Sequence, residues 1–182
     1  MKEELRKSLI SKREIYLDWK DDSIKIFKNL LTLSWLLDHN VFMLYYPHRK
    51  EVDTKPIVDY LQKHSKIILL PKVKNFDLLP IRIYSLDDLY VGYAGIREPK
   101  GKVYDGKIDV VIVPGVAYDK YGYRLGYGKG YYDRFLPKVD PVIKIGLAFD
   151  FQILDKLPHD PHDVKMDYIV TPTKIYKTKK EE

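Results

Sequence analysis

The chain has 182 residues, 45% of them apolar and 13% aromatic, with 16 tyrosines and no cysteine. That composition excludes a disordered protein, a disulfide framework and a thiolate metal centre, and no apolar run reaches the roughly 18 residues of a membrane span. Lys and Arg number 32 against 26 acids, a net charge of +6, but they are scattered except at Lys177-Thr178-Lys179-Lys180, which is not the stripe of a nucleic-acid binder.

In chain order, Lys2 to Trp19 carries Leu5, Leu9 and Tyr16 at near-helical spacing and predicts a first helix. Ser23 reads as the N-cap of a second, whose apolar face holds Phe27, Leu30, Leu31 and Leu37. Val41 to Tyr46 reads as a strand, Thr54-Lys55-Pro56 as a helix start, and Lys66 to Leu70 and Arg82 to Tyr84 as further strands. Ile108 to Val113 is a β-branched strand closed by Pro114-Gly115, Tyr131 to Leu136 a helix, and Ile143 to Leu147 and Tyr168 to Val170 the last strands. Such alternation predicts an α/β domain with a mainly parallel, helix-covered sheet. A chain of this length is one domain that buries roughly 70% of its unfolded surface. We expect that domain over 1–176, with a charged, frayed tail over 177–182. The N-terminal Met-Lys-Glu-Glu-Leu-Arg-Lys carries both signs of charge and no apolar signal core, which predicts a cytoplasmic protein.

The most informative stretch is Arg124-Leu-Gly-Tyr-Gly-Lys-Gly-Tyr-Tyr-Asp-Arg134. Gly126, Gly128 and Gly130 remove the Cβ atoms that keep a polyanion from the backbone, while Arg124, Lys129 and Arg134 supply positive charge. The run is not a Walker A loop, since no Gly-Lys-Ser/Thr follows a four-residue spacer. It follows a buried strand and precedes a helix, so backbone N–H groups and a helix N-terminus are available to an anion. A mobile surface loop is the plain alternative for such a run.

The segment from Val113 to Arg134 closely resembles the signature of the 5-formyltetrahydrofolate cyclo-ligases, also called methenyltetrahydrofolate synthetases. Lys2-Glu-Glu-Leu-Arg6 resembles that family's Lys-x-x-Leu-Arg, Glu51-Val-Asp-Thr54 its acidic segment, and Asp163-Val-Lys-Met-Asp167 its C-terminal element. The four segments come in the family's order and span nearly the whole chain. The resemblance implies a single three-layer αβα domain, similar in layering to the sugar-phosphate isomerases and coenzyme A transferases. It also implies an ATP-driven, Mg²⁺-dependent cyclisation of 5-formyltetrahydrofolate to 5,10-methenyltetrahydrofolate by a monomer. In that chemistry the γ-phosphoryl group activates the formyl oxygen, so the protein needs cations and backbone donors more than a nucleophile.

Roles follow by resemblance. Lys2, Arg6, Arg124, Gly126, Tyr127, Gly128, Lys129, Gly130, Tyr131 and Tyr132 are expected at ATP, with Arg124, Lys129 and Tyr132 catalytic. Tyr132 is expected beside the folate or the transferred phosphate, and Tyr131 mainly in the core. Asp133 and Asp163 are expected on Mg²⁺, with Asp167 and Asp119 as rivals for the second ligand. Asp53, His48 and Tyr93 are expected at the folate, Asp53 accepting from the pterin's N–H donors and Tyr93 stacking beside Gly95-Ile-Arg-Glu-Pro99. His48 departs from a family position that is usually apolar. Two other readings remain open: another phosphate-ligand enzyme on the same fold, such as a sugar-phosphate isomerase, and a basic RNA-binding protein.

Overall fold

In this computed structural model, which describes residues 1–178, the apolar stripe of Leu5 and Leu9 forms helix α1 (Lys2–Glu14), and the helix ends there instead of reaching Trp19. Helix α2 (Trp19–Leu30) opens on a new axis at Asp18, with Asp21 and Asp22 in the first turn, where the helix dipole favours carboxylates. Tyr16 sits in the break and donates its hydroxyl proton to Asp22. Ser23, expected as a cap, lies inside α2, and its hydroxyl accepts from the Asp53 amide at 3.0 Å.

After a short turn of helix at Leu36–Asp38 come β1 (Val41–Met43), α3 (Lys55–Lys63), β2 (Ile67–Lys74) and β3 (Asp77–Ile83). The expected strands at 66–70 and 82–84 thus belong to one long hairpin, paired from Ile68↔Ile83 to Lys74↔Asp77. Asn75, in the left-handed region at φ 58°, makes its two-residue turn. Then follow β4 (Tyr90–Val91), β5 (Arg97–Glu98), β6 (Val110–Val113), β7 (Ala117–Asp119), β8 (Arg124–Leu125) and α4 (Tyr131–Val139). The chain continues through β9 (Ile143–Leu147), β10 (Ile153–Leu154), β11 (Tyr168–Val170) and β12 (Ile175–Lys177). Lys177, the first residue of the expected tail, pairs with Tyr168, and 179–182 lie outside the described residues.

Seven strands form one sheet in the order β12-β11-β9-β6-β1-β2-β3, parallel except for its edge strands β3 and β12. Successive residues of a strand face opposite sides. Phe42, Val110 and Ile112 therefore pack with Ile26 and Leu30 of α2 and Ile57 and Leu61 of α3, while Met43, Val111 and Val113 pack with Phe135 and Leu136 of α4. These are the expected three layers. A smaller sheet, β10-β7-β8, carries its own cluster of Val116, Ala117, Leu125 and Leu157, onto which α1 packs through Leu9.

The chain leaves β1 to build β2 and β3 on one side, then returns to lay β6 on the other. The order therefore reverses between β1 and β6, and in open α/β sheets ligands bind beyond the carboxyl ends of the strands at such a switch point. Two segments leave these strand ends: 44–54 after β1 and 114–130 after β6.

Candidate active site

The segment after β6 makes a hairpin, β7–β8, that launches the glycine run. Asp119, at the end of β7, is fully buried, and its carboxylate accepts from the amides of Tyr121 (3.0 Å), Tyr123 (3.1 Å) and Leu157 (2.9 Å). Both oxygens thus hold the backbone of the hairpin and of the 157 turn. Asp167 uses one oxygen, which accepts from the Lys144 amide at 2.8 Å and pairs with the Lys144 ammonium at 3.6 Å.

Arg124 enters from β8 with its side chain only 5% exposed. Nη1 donates to the Pro114 carbonyl at 2.8 Å, Nη2 lies 3.8 Å from Asp133, and the guanidinium sits over the Tyr132 ring at 5.5 Å. Its Nε is buried with no hydrogen-bond partner among the described residues. A Cβ on Gly126 would stand 2.8 Å from that guanidinium, so glycine is what lets the loop cross it. Gly128 and Gly130 sit at φ +99° and +70°, and Gly130 caps α4. Arg6 reaches from α1 to the Gly126 carbonyl at 2.8 Å, and Lys129 is exposed within the run. Lys2 pairs with Asp160 at 3.6 Å. The glycine loop, the start of α1 and the 160–163 turn therefore meet.

Helix phase sorts the two tyrosines opposite to expectation. Tyr132, Phe135 and Leu136 share the buried face of α4 at i, i+3 and i+4, whereas Tyr131 is half-buried against Tyr93, ring centroids 6.0 Å apart. Burial raises the Tyr132 hydroxyl well above the usual phenol range, so it stays protonated.

Asp163 accepts from the Asp160 amide at 2.8 Å and forms with Asp160 and His162 a group whose ligand atoms all lie within 4.8 Å of one another. Asp133 is not in that group. It stands at the first turn of α4, its side chain 34% exposed beside Arg124. Carboxylate oxygens of this kind suit a hard cation such as Mg²⁺.

On the β1 side, Asp53 accepts from the Lys55 amide at 3.0 Å, a turn that opens α3. The carboxylate that faces inward is Glu51, which sequence reasoning placed in a motif without a role. It is 8% exposed and accepts from the His48 amide at 2.9 Å and the Tyr127 hydroxyl at 2.9 Å. Burial raises its carboxyl above the ordinary value, and the Arg13 charge pulls the other way. Arg13, also missed, is 2% exposed; it donates from Nε to the Arg49 carbonyl at 3.0 Å, and its guanidinium lies over the Tyr127 ring at 5.6 Å. His48 is half-buried, its imidazole pKa lowered by burial and then by Arg49 and Arg13, so it is neutral near pH 7. Tyr93 stands at the turn into β5, whose buried Glu98 accepts from the Val73 and Tyr93 amides at 2.8 and 3.3 Å. A separate groove of about 250 Å³ at the β3 edge is lined by Arg82, Tyr84, Lys100 and Lys102, and no residue of α1 or the glycine run lines it.

The arrangement is thus a cationic, glycine-lined loop facing a buried carboxylate across the switch point. Comparison with known proteins shows the family. A sequence model of the 5-formyltetrahydrofolate cyclo-ligase family matches residues 1–172. The 5-formyltetrahydrofolate cyclo-ligase of Escherichia coli K12 is 37% identical over 138 residues, 69% of this chain and 74% of that protein. A probable 5-formyltetrahydrofolate cyclo-ligase of Schizosaccharomyces pombe is 33% identical over 173 residues, 84% and 85% of the two chains. The NMR structure of Aquifex aeolicus 5,10-methenyltetrahydrofolate synthetase superposes with a TM-score of 0.87 at 37% identity, covering 100% of this chain and 94% of that one. A Mycoplasma pneumoniae 5,10-methenyltetrahydrofolate synthetase follows at 0.76 and 28% identity, covering 94% and 98%. The chain therefore belongs to the 5-formyltetrahydrofolate cyclo-ligase family and is an ATP-dependent ligase that converts 5-formyltetrahydrofolate to 5,10-methenyltetrahydrofolate.

Proposed function

We propose that the glycine loop holds the triphosphate of ATP and that the segment after β1 holds the folate, so that the γ-phosphoryl group and the formyl oxygen meet between β1 and β6. The observation that carries this reading is Arg124, a buried guanidinium with an uncommitted Nε lying under a run of glycines. A buried cation with an unused donor is costly unless an anion completes it. Arg6, Lys2 and Lys129 add charge on the same side, and the N-terminus of α4 adds backbone N–H groups.

In the reaction the formyl oxygen attacks the γ-phosphorus and ADP leaves, giving a phosphorylated formyl group, an iminophosphate. The neighbouring folate amine then attacks the formyl carbon, the carbon–oxygen bond breaks as phosphate departs, and the amine loses its proton as the ring closes. Arg124 and Lys129 stabilise charge on the transferring phosphoryl group. Tyr132 stays protonated and supports Arg124 through its ring. Tyr131 and Tyr93 border the folate on the α4 side, and the acidic pair Glu51 and Asp53 accepts from the pterin N–H donors, Asp53 through the oxygen that the Lys55 amide leaves open. His48, neutral, flanks the pterin as a polar contact. Mg²⁺ fits the carboxylates of Asp133 and Asp163 together with phosphate oxygens, and when bound it neutralises the β- and γ-phosphates.

Residues 1–176 act as one catalytic unit and work as a monomer. No helix of the described residues is long and apolar enough to cross a membrane. We place the enzyme in the cytoplasm, a reducing compartment that suits a chain without cysteine. The test is turnover of 5-formyltetrahydrofolate with Mg²⁺ and ATP, followed by the near-ultraviolet absorbance of the methenyl product. Product is expected only when both ATP and Mg²⁺ are present; turnover without Mg²⁺ removes the metal from this reading, and full turnover by Arg124→Met removes the phosphate role of the loop.

A further inference from the structure

The structure assigns to Tyr127, Glu51 and Arg13 a positioning role: they latch the glycine loop to the segment after β1, so that the two substrates bind cooperatively. This rests on the reading that the first segment holds nucleotide and the second folate.

Tyr127 is the central side chain of the glycine run, between Gly126 and Gly128, and its hydroxyl donates to Glu51, 76 residues earlier in the chain, at 2.9 Å. Glycines on both sides, with Gly128 at φ +99°, give the loop freedom that the Tyr127 contact removes together with the Arg6 bond to the Gly126 carbonyl. Glu51 is held on its other oxygen by the His48 amide at 2.9 Å and through its carbonyl by the Trp19 indole at 2.6 Å, so it is an anchored acceptor. Arg13 closes the triangle: it is buried, bonds the Arg49 carbonyl at 3.0 Å and places its guanidinium 5.6 Å from the Tyr127 ring centroid. Three chain segments distant in sequence therefore share one contact, in which Glu51 and Arg13 are buried and Tyr127 is 41% exposed, beside the separate Arg6 bond from α1 to the Gly126 carbonyl. The groups facing Glu51 are Arg13 of α1, Tyr127 of the glycine loop, the backbone amide of His48 in its own turn, and the buried tyrosines Tyr45, Tyr118 and Tyr132. Tyr127 keeps its proton, since burial and the Glu51 charge both raise its phenol, and so it remains a donor at working pH.

An arrangement in which one hydrogen bond joins two ligand segments makes ordering of either assist the other, and such coupling is reciprocal. The experiment is calorimetric titration of the β,γ-imido analogue of ATP with Mg²⁺, with and without saturating 5-formyltetrahydrofolate, and the converse. In the wild type each ligand is expected to tighten the other by about ten-fold, the worth of one hydrogen bond to a charged acceptor. In Tyr127→Phe that factor falls to about one, with each separate affinity changing less than the factor does. In steady state the KM for either substrate rises more at low co-substrate than at saturating co-substrate, a dependence that loss of folding does not produce. Glu51→Gln, which keeps the shape but removes the charge, also lowers the factor. An unchanged factor in Tyr127→Phe overturns the latch, as does a wild type that binds both ligands without coupling. A wild type that binds neither ligand overturns the reading of the site itself.

Discussion

Asp119 is the sharpest test of how the glycine loop is held. Its side chain is fully buried and accepts three backbone amides, those of Tyr121, Tyr123 and Leu157. Asp119→Ala removes all three acceptors at once from the hairpin that leads into Arg124. A buried donor left unsatisfied costs about 1–3 kcal/mol, and partial relaxation of the turn recovers some of it, so a loss of about 3–5 kcal/mol is expected. In a domain of this size about 1 kcal/mol corresponds to roughly 2–4 °C, which puts the melting temperature about 6–20 °C lower. Asp119→Asn keeps one carbonyl oxygen, enough for the Tyr121 and Tyr123 amides on Oδ1, but turns an amide NH₂ toward the Leu157 N–H. Its loss is expected at about 1–3 kcal/mol. The assay is urea denaturation of the ligand-free protein in chelator, alongside a Mg²⁺ titration of turnover. The order wild type, Asn, Ala is expected in stability, with no change in the Mg²⁺ concentration that gives half-maximal rate. Both variants within about 1 kcal/mol of wild type, together with a weakened Mg²⁺ response, would refute the structural role and return Asp119 to the metal site.

Arg124→Met is expected to raise the KM for ATP by about 10–100-fold, as loss of charge-assisted bonds to phosphate does, while the urea midpoint moves little because methionine fills the stem's path; nucleotide titration and denaturation measure the two. Asp133→Asn and Asp163→Asn should each raise the Mg²⁺ needed for half-maximal turnover by about ten-fold at fixed ATP; an unchanged requirement in either variant removes that residue from the metal site. Burial raises the Glu51 carboxyl above its ordinary value while Arg13 lowers it. Folate kcat/KM should therefore fall on the acid side through that raised pKa, at higher pH than for an ordinary carboxylate. Arg13→Met should move the limb further toward alkaline pH, and Glu51→Gln should abolish it. In stability the sign is opposite. The folded state holds the Glu51 proton longer than the unfolded state, so this group's contribution is fully present below the unfolded pKa and is lost as pH rises to the folded one.

Strands buried on both faces were the most legible parts of this chain. Ile143–Leu147 and Tyr168–Val170 have the bounds read from sequence, because short runs carrying Ile145 and Leu147, and Ile169 and Val170, leave little else for a buried parallel strand to be. The break between α1 and α2 was expected between Trp19 and Ser23 and falls instead between Glu14 and Trp19, since apolar spacing continues through Tyr16 although α1 has ended. The β2–β3 hairpin was hidden too: at the edge of the sheet Lys72, Lys74 and Asp77 dilute the apolar signal, and pairing alone defines the strand. The site carboxylates divide along the same line. Asp53 before Thr54-Lys55-Pro56 and Asp119 before Lys120-Tyr121-Gly122 both stand where a side-chain oxygen folds back onto amides two residues on, a local pattern readable from sequence. Asp119 spends its other oxygen on the Leu157 amide as well, whereas Asp53 spends one oxygen in all. Glu51 lacks such a use for its second oxygen, which accepts instead from Tyr127, 76 residues later. Only the fold brings that pair together, so its role stayed invisible until the strand order placed the two segments on either side of the switch point.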